Sequence, residues 1–124
     1  MGLRKPKLNV GKKFASGTAI TVGTKVFYYM SGVSAISGSF NYIEVTGLTF
    51  RPSSIVFYDE ASTYQSTAYR RNGFYKVGSY TTIASILGSG TNFPSGGALS
   101  VTETGFCLPS NFPVNAIVKW EAYE

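Results

Sequence analysis

Apolar residues along this chain recur at every second position or in short dense runs, and no stretch keeps a 3.6-residue period over a useful length. The clearest case is residues 45–59, VTGLTFRPSSIVFYD. Two segments rich in β-branched and aromatic residues, 43–45 and 55–58, flank Gly47, Arg51-Pro52 and Ser53-Ser54. Pro52 has no N–H for a ladder, so the chain turns there. Leu48 and Phe50 lie two apart and share a face that points into a core. The pattern predicts a strand, a corner and a second strand, with the rest of the chain arranged to cover them.

Upstream, Phe14 opens the domain, and Ile20 and Val22 suggest a first strand. The aromatic run 25–30, KVFYYM, is of strand length, 32–38 is small and turn-rich, and strand character resumes over 40–45. Glu44 alternates with Ile43 and Val45 and is expected to face solvent or an interface. Residues 59–69 read as a long loop or irregular hairpin. Asn72-Gly73, flanked by aromatics, is a strong hairpin signal. Residues 80–87 are ambiguous, and 88–97 read as a loop because of Gly88, Gly90, Pro94 and Gly96-Gly97. Leu99 and Val101 alternate with polar residues, Thr104-Gly105 turns the chain, and Pro109 and Pro113 bracket a further loop. Ala116, Val118, Trp120 and Ala122 then form one face, with Ile117, Lys119 and Glu121 on the other. The fold class expected is all-β, two antiparallel sheets packed as a β-sandwich. Phe40, Leu48, Phe50, Ile55, Phe57, Val101, Phe106, Val118 and Trp120 are the expected core. Phe74, Phe93 and Phe112 read as turn residues folded back on it.

Composition agrees. The 124 residues suit one domain, are 44% hydrophobic and only 14% charged, and contain few of the good surface helix formers. So sparse a charge defends poorly against association. The net charge of +5 is local: Arg4, Lys5, Lys7, Lys12 and Lys13 precede the first acid, Glu44, and the remaining basic and acidic residues balance. Residues 1–13 therefore read as a basic N-terminal arm on a neutral domain, 14–124. Such an arm docks on an acidic partner protein or is a solvated leader. Nucleic acid is a poorer fit, because no aromatics interleave the basic residues as a stacking platform requires.

Chemistry is restricted by what is missing. The sequence has no histidine, which excludes a Ser-His-Asp triad and the usual zinc sites. The single cysteine, Cys107, lies between Phe106 and Leu108 and is expected to be buried. Glu44, Asp59, Glu60 and Glu103 could supply carboxylates, but their spacing singles out no pair for glycoside hydrolysis. No enzyme activity, cofactor or metal is expected. No apolar segment follows MGLRKPK as in a signal peptide, no 18-residue apolar run occurs, and Pro6 spoils a myristoylation signal, so no membrane association is expected.

Binding suits the composition better. Tyr58, Tyr64, Tyr69, Tyr75 and Tyr80 cluster in sequence with Gln65, Arg70, Arg71 and Asn72, the mixture of aromatic area with amide and guanidinium donors that sugar and protein sites use. The alternative is that several of these tyrosines are half-buried packing residues with wet hydroxyls.

The order of three segments is distinctive: KFASGT at 13–18, VTGLTFRP at 45–52, and TGF at 104–106 with VKWEAY at 118–123. Together they resemble a small β-domain of tail-fibre, baseplate and other virion proteins from phages of Gram-positive bacteria. The plan of strand, G-L-x-F-x-P corner, strand, G-F and W-x-A is also similar to H-type lectins, compact β-sandwiches that trimerise and bind sugars. The resemblance spans about residues 13–123 and implies a lectin-like or jelly-roll-like sandwich in an oligomer, a trimer by preference. It implies a virion location, with other virion proteins and a host-surface glycan as partners. The chain departs from that pattern in its basic arm, which leaves a capsid decoration or head-fibre protein as the alternative. A cellular lectin module is a further one.

Overall fold

The computed structural model describes residues 13–59 and 65–124. The arm residues Arg4, Lys5, Lys7 and Lys12, and the candidate Tyr64, lie outside the described residues. The described residues form eleven strands in two antiparallel sheets, with no helix among them.

The larger sheet contains β1 (Phe14–Ile20), β11 (Ile117–Tyr123), β4 (Ser54–Asp59), β5 (Gln65–Arg70) and β7 (Tyr80–Ile86), adjacent in that order. β5 pairs with the second half of β7 and β6 (Tyr75–Val77) with its first half, while β8 (Thr91–Pro94) takes the opposite edge. The smaller sheet runs β2 (Val22–Ser31), β3 (Ser34–Thr46), β10 (Gly105–Ser110) and β9 (Ser100–Val101). The corner at 47–53 carries the chain from β3 in one sheet to β4 in the other. Gly47 has φ = 88°, which other residues adopt only under strain, and Pro52 ends the crossing buried. Leu48 and Phe50 point into the core as their spacing predicts.

The inner faces meet through two aromatic groups. Phe93 of β8 contacts Phe27 and Phe40 of the facing sheet edge-on, at centroid distances of 6.3 and 5.1 Å. Phe106 of β10 lies near Phe57 of β4 at 6.0 Å and Trp120 of β11 at 5.5 Å. The edge-to-face contacts, those of Phe93 and the Phe106–Trp120 pair, add to the stabilisation from burial alone. Thr67 donates its hydroxyl to the Pro109 carbonyl at 3.0 Å, a hydrogen bond joining the two sheets. β11 alternates as expected: Val118, Trp120 and Ala122 are buried, and Ile117, Lys119 and Tyr123 are exposed. Gly17 pairs with Trp120, and a Cβ there would lie 3.0 Å from the indole Cζ2, so the small residue lets β1 cover the ring.

Five local expectations are corrected. Residues 65–70 are strand β5, because Ser66 and Thr67 are buried polar residues that hide the apolar signal. Asn72-Gly73 makes a turn, with Gly73 at φ = 88°, but β5 and β6 both lie along β7 and do not pair with each other. The glycine-rich stretch 88–97 contains β8, on which Phe93 is fully buried. The turn in 32–38 is confined to Gly32 and Val33, with β3 starting at Ser34. Pro109 belongs to β10 rather than to a loop; it lies past the end of the short β9, where a missing N–H is tolerated.

Candidate binding surface

The outward side chains of β1, β11 and β4 fall into four rows set by the ladder register. Phe14 stands opposite Tyr123, Ser16 opposite Glu121, Thr18 opposite Lys119, and Ile20 opposite Ile117. On the other side of β11, Val56 stands opposite Glu121 and Tyr58 opposite Lys119. Antiparallel pairing puts directly opposed residues on one face of the sheet, so these side chains share a surface although they come from three distant parts of the chain.

The centre of that surface is a shallow groove of about 510 Å³. Ser16, Thr18, Tyr58, Lys119 and Glu121 line it, with Gly17 and Trp120 between them. Tyr58 Oη donates to Glu121 Oε1 at 3.1 Å, and Tyr123 Oη donates to the same oxygen at 2.9 Å. The two phenols hold the carboxylate through this one oxygen. Tyr123 in turn packs on Phe14, with ring centroids 5.0 Å apart. Both phenols are held above the ordinary tyrosine pKa: Tyr58 by burial first and the Glu121 bond second, Tyr123 by the Glu121 bond first and burial second. They remain donors throughout the neutral range.

The structure divides the candidates drawn from the sequence. Tyr58 and the exposed Gln65 are opposed at one end of the β4–β5 ladder, beside the groove. Arg70 pairs with Ser54 at the other end, about 17 Å away along β5 at strand rise. Arg70, Arg71, Asn72 and Tyr75 are all exposed there, and the Arg70 guanidinium lies 4.8 Å from the Phe74 ring centre. The cluster is therefore two sites in space. Tyr69 is only 3% exposed and belongs to the core, which removes its ring from any ligand surface. Burial raises its pKa, and nearby Arg51 and Arg71 offset only part of that rise.

Lys13, the last residue of the arm, is anchored at its backbone: its N–H donates to Glu124 Oε1 at 3.1 Å, and its carbonyl accepts from the Glu124 N–H at 2.9 Å. It lies beside a second groove of about 360 Å³, lined by Arg51, Arg71, Glu103 and Glu124 as well, a surface of mixed sign. Of the carboxylates considered from sequence, Glu44 pairs with Lys25 at 3.8 Å on the smaller sheet. Cys107 is buried, and burial pushes its thiol up to about 11, so it is a packing thiol rather than a nucleophile. No group of three metal-ligating side chains occurs among the described residues, and no described helix is long and apolar enough to cross a membrane.

Sequence reasoning missed Glu121, Lys119, Tyr123, Ser16 and Thr18 as site residues. The signal available was the polar face of the last strand, which alternation marked as outward without indicating its neighbours. The chain matches no protein-family model, no curated protein and no solved structure.

Proposed function

We propose that this protein is a non-enzymatic phage virion protein, a tail-fibre or baseplate-type module whose β1–β11–β4 face binds a host-surface glycan. The observation that carries the reading is the Glu121 carboxylate held by two phenols in an open groove rimmed by aromatic and hydroxyl side chains. A sugar offers hydroxyl donors to the Glu121 carboxylate and C–H faces to the tyrosine rings, while Lys119 donates to ring or hydroxyl oxygens. A shallow, open groove on a sheet face admits an internal segment of a long polymer, as a surface polysaccharide requires. The segments that resemble phage virion domains supply the setting: β1, the corner, the start of β10 and β11 carry them, and β1 and β11 with β4 also carry the groove.

The test is twofold. Immunogold labelling of the parent phage with antibody to this chain is expected to mark the tail end. Particles carrying Tyr58→Ala with Lys119→Ala are expected to adsorb to host cells at least roughly tenfold more weakly, since two groove contacts of about 1 kcal/mol each are lost. Label on no particle would end the virion reading, and label over the head would turn it into a decoration role. Unchanged adsorption by the double variant would remove the groove from host recognition.

A further inference from the structure

The outer edge of β1 has no strand partner among the described residues, and the hydrogen-bond parity of the ladder says which of its groups are open. Thr21 N–H donates to the Ala116 carbonyl at 2.8 Å, and Glu124 N–H donates to the Lys13 carbonyl at 2.9 Å. Odd-numbered residues of β1 therefore bond to β11, and the N–H and C=O groups of Phe14, Ser16, Thr18 and Ile20 face the free edge.

We infer that this edge pairs with the same edge of a second copy of the chain, antiparallel, about a two-fold axis at Gly17. The strand FASGTAI reads alike in both directions by residue class: apolar, alanine, hydroxyl, glycine, hydroxyl, alanine, apolar. A two-fold at Gly17 sets Phe14 opposite the second copy's Ile20, Ser16 opposite its Thr18, and Ala15 opposite its Ala19. Those are an aromatic–aliphatic pair, a hydroxyl pair and a small pair, all favourable across strands. The open backbone groups belong to the residues that become the narrow hydrogen-bonded pairs, giving on the order of eight interchain hydrogen bonds. Sliding the register by two residues, which moves the axis to Ser16 or Thr18, keeps the parity but shortens the ladder and leaves Ile20 or Phe14 unpaired.

Three observations favour a second copy over other occupants. Phe14 and Ile20 are 55% and 57% exposed, and each would cover the other's apolar surface across the axis. The strand carries no charge, proline or register shift, the devices that usually protect an edge. The basic and acidic residues of 14–124 balance, so the two domains add no net repulsion of their own, the +5 of each chain lying in residues 1–13. The other edges differ: β6 and β9 are three and two residues long, β8 ends in Pro94, and β2 is met along its edge by Gly97 and Ala98.

Sedimentation equilibrium of the full chain tests the pairing. The expected result is a reversible monomer–dimer equilibrium. Ser16→Pro removes one open N–H and should raise the dimer Kd at least roughly tenfold while the circular dichroism spectrum is retained. Thr18→Lys puts a charge on the same edge, leaves every backbone group in place, and should have the same effect should the proline variant fail to fold. The double variant Ser16→Cys with Thr18→Cys should oxidise to a covalent dimer, with neither single variant doing so, because position 16 meets position 18 across the axis. A chain that stays monomeric, sediments as a trimer, dimerises unaffected by Thr18→Lys, or gives no cross-link in the double variant would overturn the inference.

Discussion

Replacing Glu121 with Gln keeps the shape of the groove and removes its charge. In the native protein the carboxylate accepts from Tyr123 at 2.9 Å and from Tyr58 at 3.1 Å. Hydrogen bonds to a charged acceptor stabilise by more than neutral ones, but this pair lies at the surface, so the loss in folding stability should be about 1–2 kcal/mol. The sharper consequence concerns titration. The Glu121 bond is the largest cause of the raised pKa of Tyr123, whereas burial is the largest for Tyr58. In Glu121→Gln both phenols should titrate lower than in the native protein, and Tyr123 should fall further than Tyr58. NMR of tyrosine labelled at Cζ, followed from neutral to alkaline pH, resolves the two. The sign of the stability effect follows: phenols raised in the folded state stabilise below pH 10, and that stabilisation fades as pH climbs through their folded pKa values. The variant should therefore show a shallower alkaline loss of stability. Unmoved titrations, or a larger fall at Tyr58, would refute the shared-acceptor geometry.

Cys107 gives a second alkaline signature. Its pKa is raised from 9.0 to about 11, so the neutral thiol contributes on the order of 2–3 kcal/mol that is present below pH 9 and lost as pH rises towards 11. Urea melts of Cys107→Ala across that range should lose this part of the slope, and the native thiol should react with a disulfide reagent only on unfolding. Tyr69→Ala should destabilise by about 3–5 kcal/mol as a core truncation, whereas Tyr75→Ala at the exposed start of β6 should stay within about 0.5 kcal/mol, both read from denaturant midpoints.

The parts of the fold legible in the sequence are those where burial is one-sided. β11 alternates because one face meets the core and the other meets water, and the corner at Pro52 shows because proline and two in-register apolar residues constrain it together. β5 and β10 were hidden for opposite reasons. β5 buries Ser66 and Thr67, so its inner face looks polar. β10 is buried at all six positions, which erases alternation and lets Pro109 read as a breaker. The site was less legible than the fold because its side chains lie at 16–18, 58 and 119–123, and only strand order makes them neighbours. Of the tyrosines clustered in sequence, Tyr58 alone lines the groove among the described residues, and Tyr69 packs inward because it pairs with Ile55 on the inner face of β4.

The pairing of Lys13 with Glu124 sets how the domain bears load. The first and last strands are antiparallel neighbours, and their outer ends lie side by side. Tension applied between the two termini would act across the β1–β11 ladder rather than along it, meeting one residue pair at a time from Lys13–Glu124 inward. Such a joint peels like a zip at modest force. Tension between the N-terminal side and something gripping the rest of the larger sheet would instead run along β1 and shear the whole ladder at once. The same strand pair is thus mechanically soft in one direction of pull and stiff in the other.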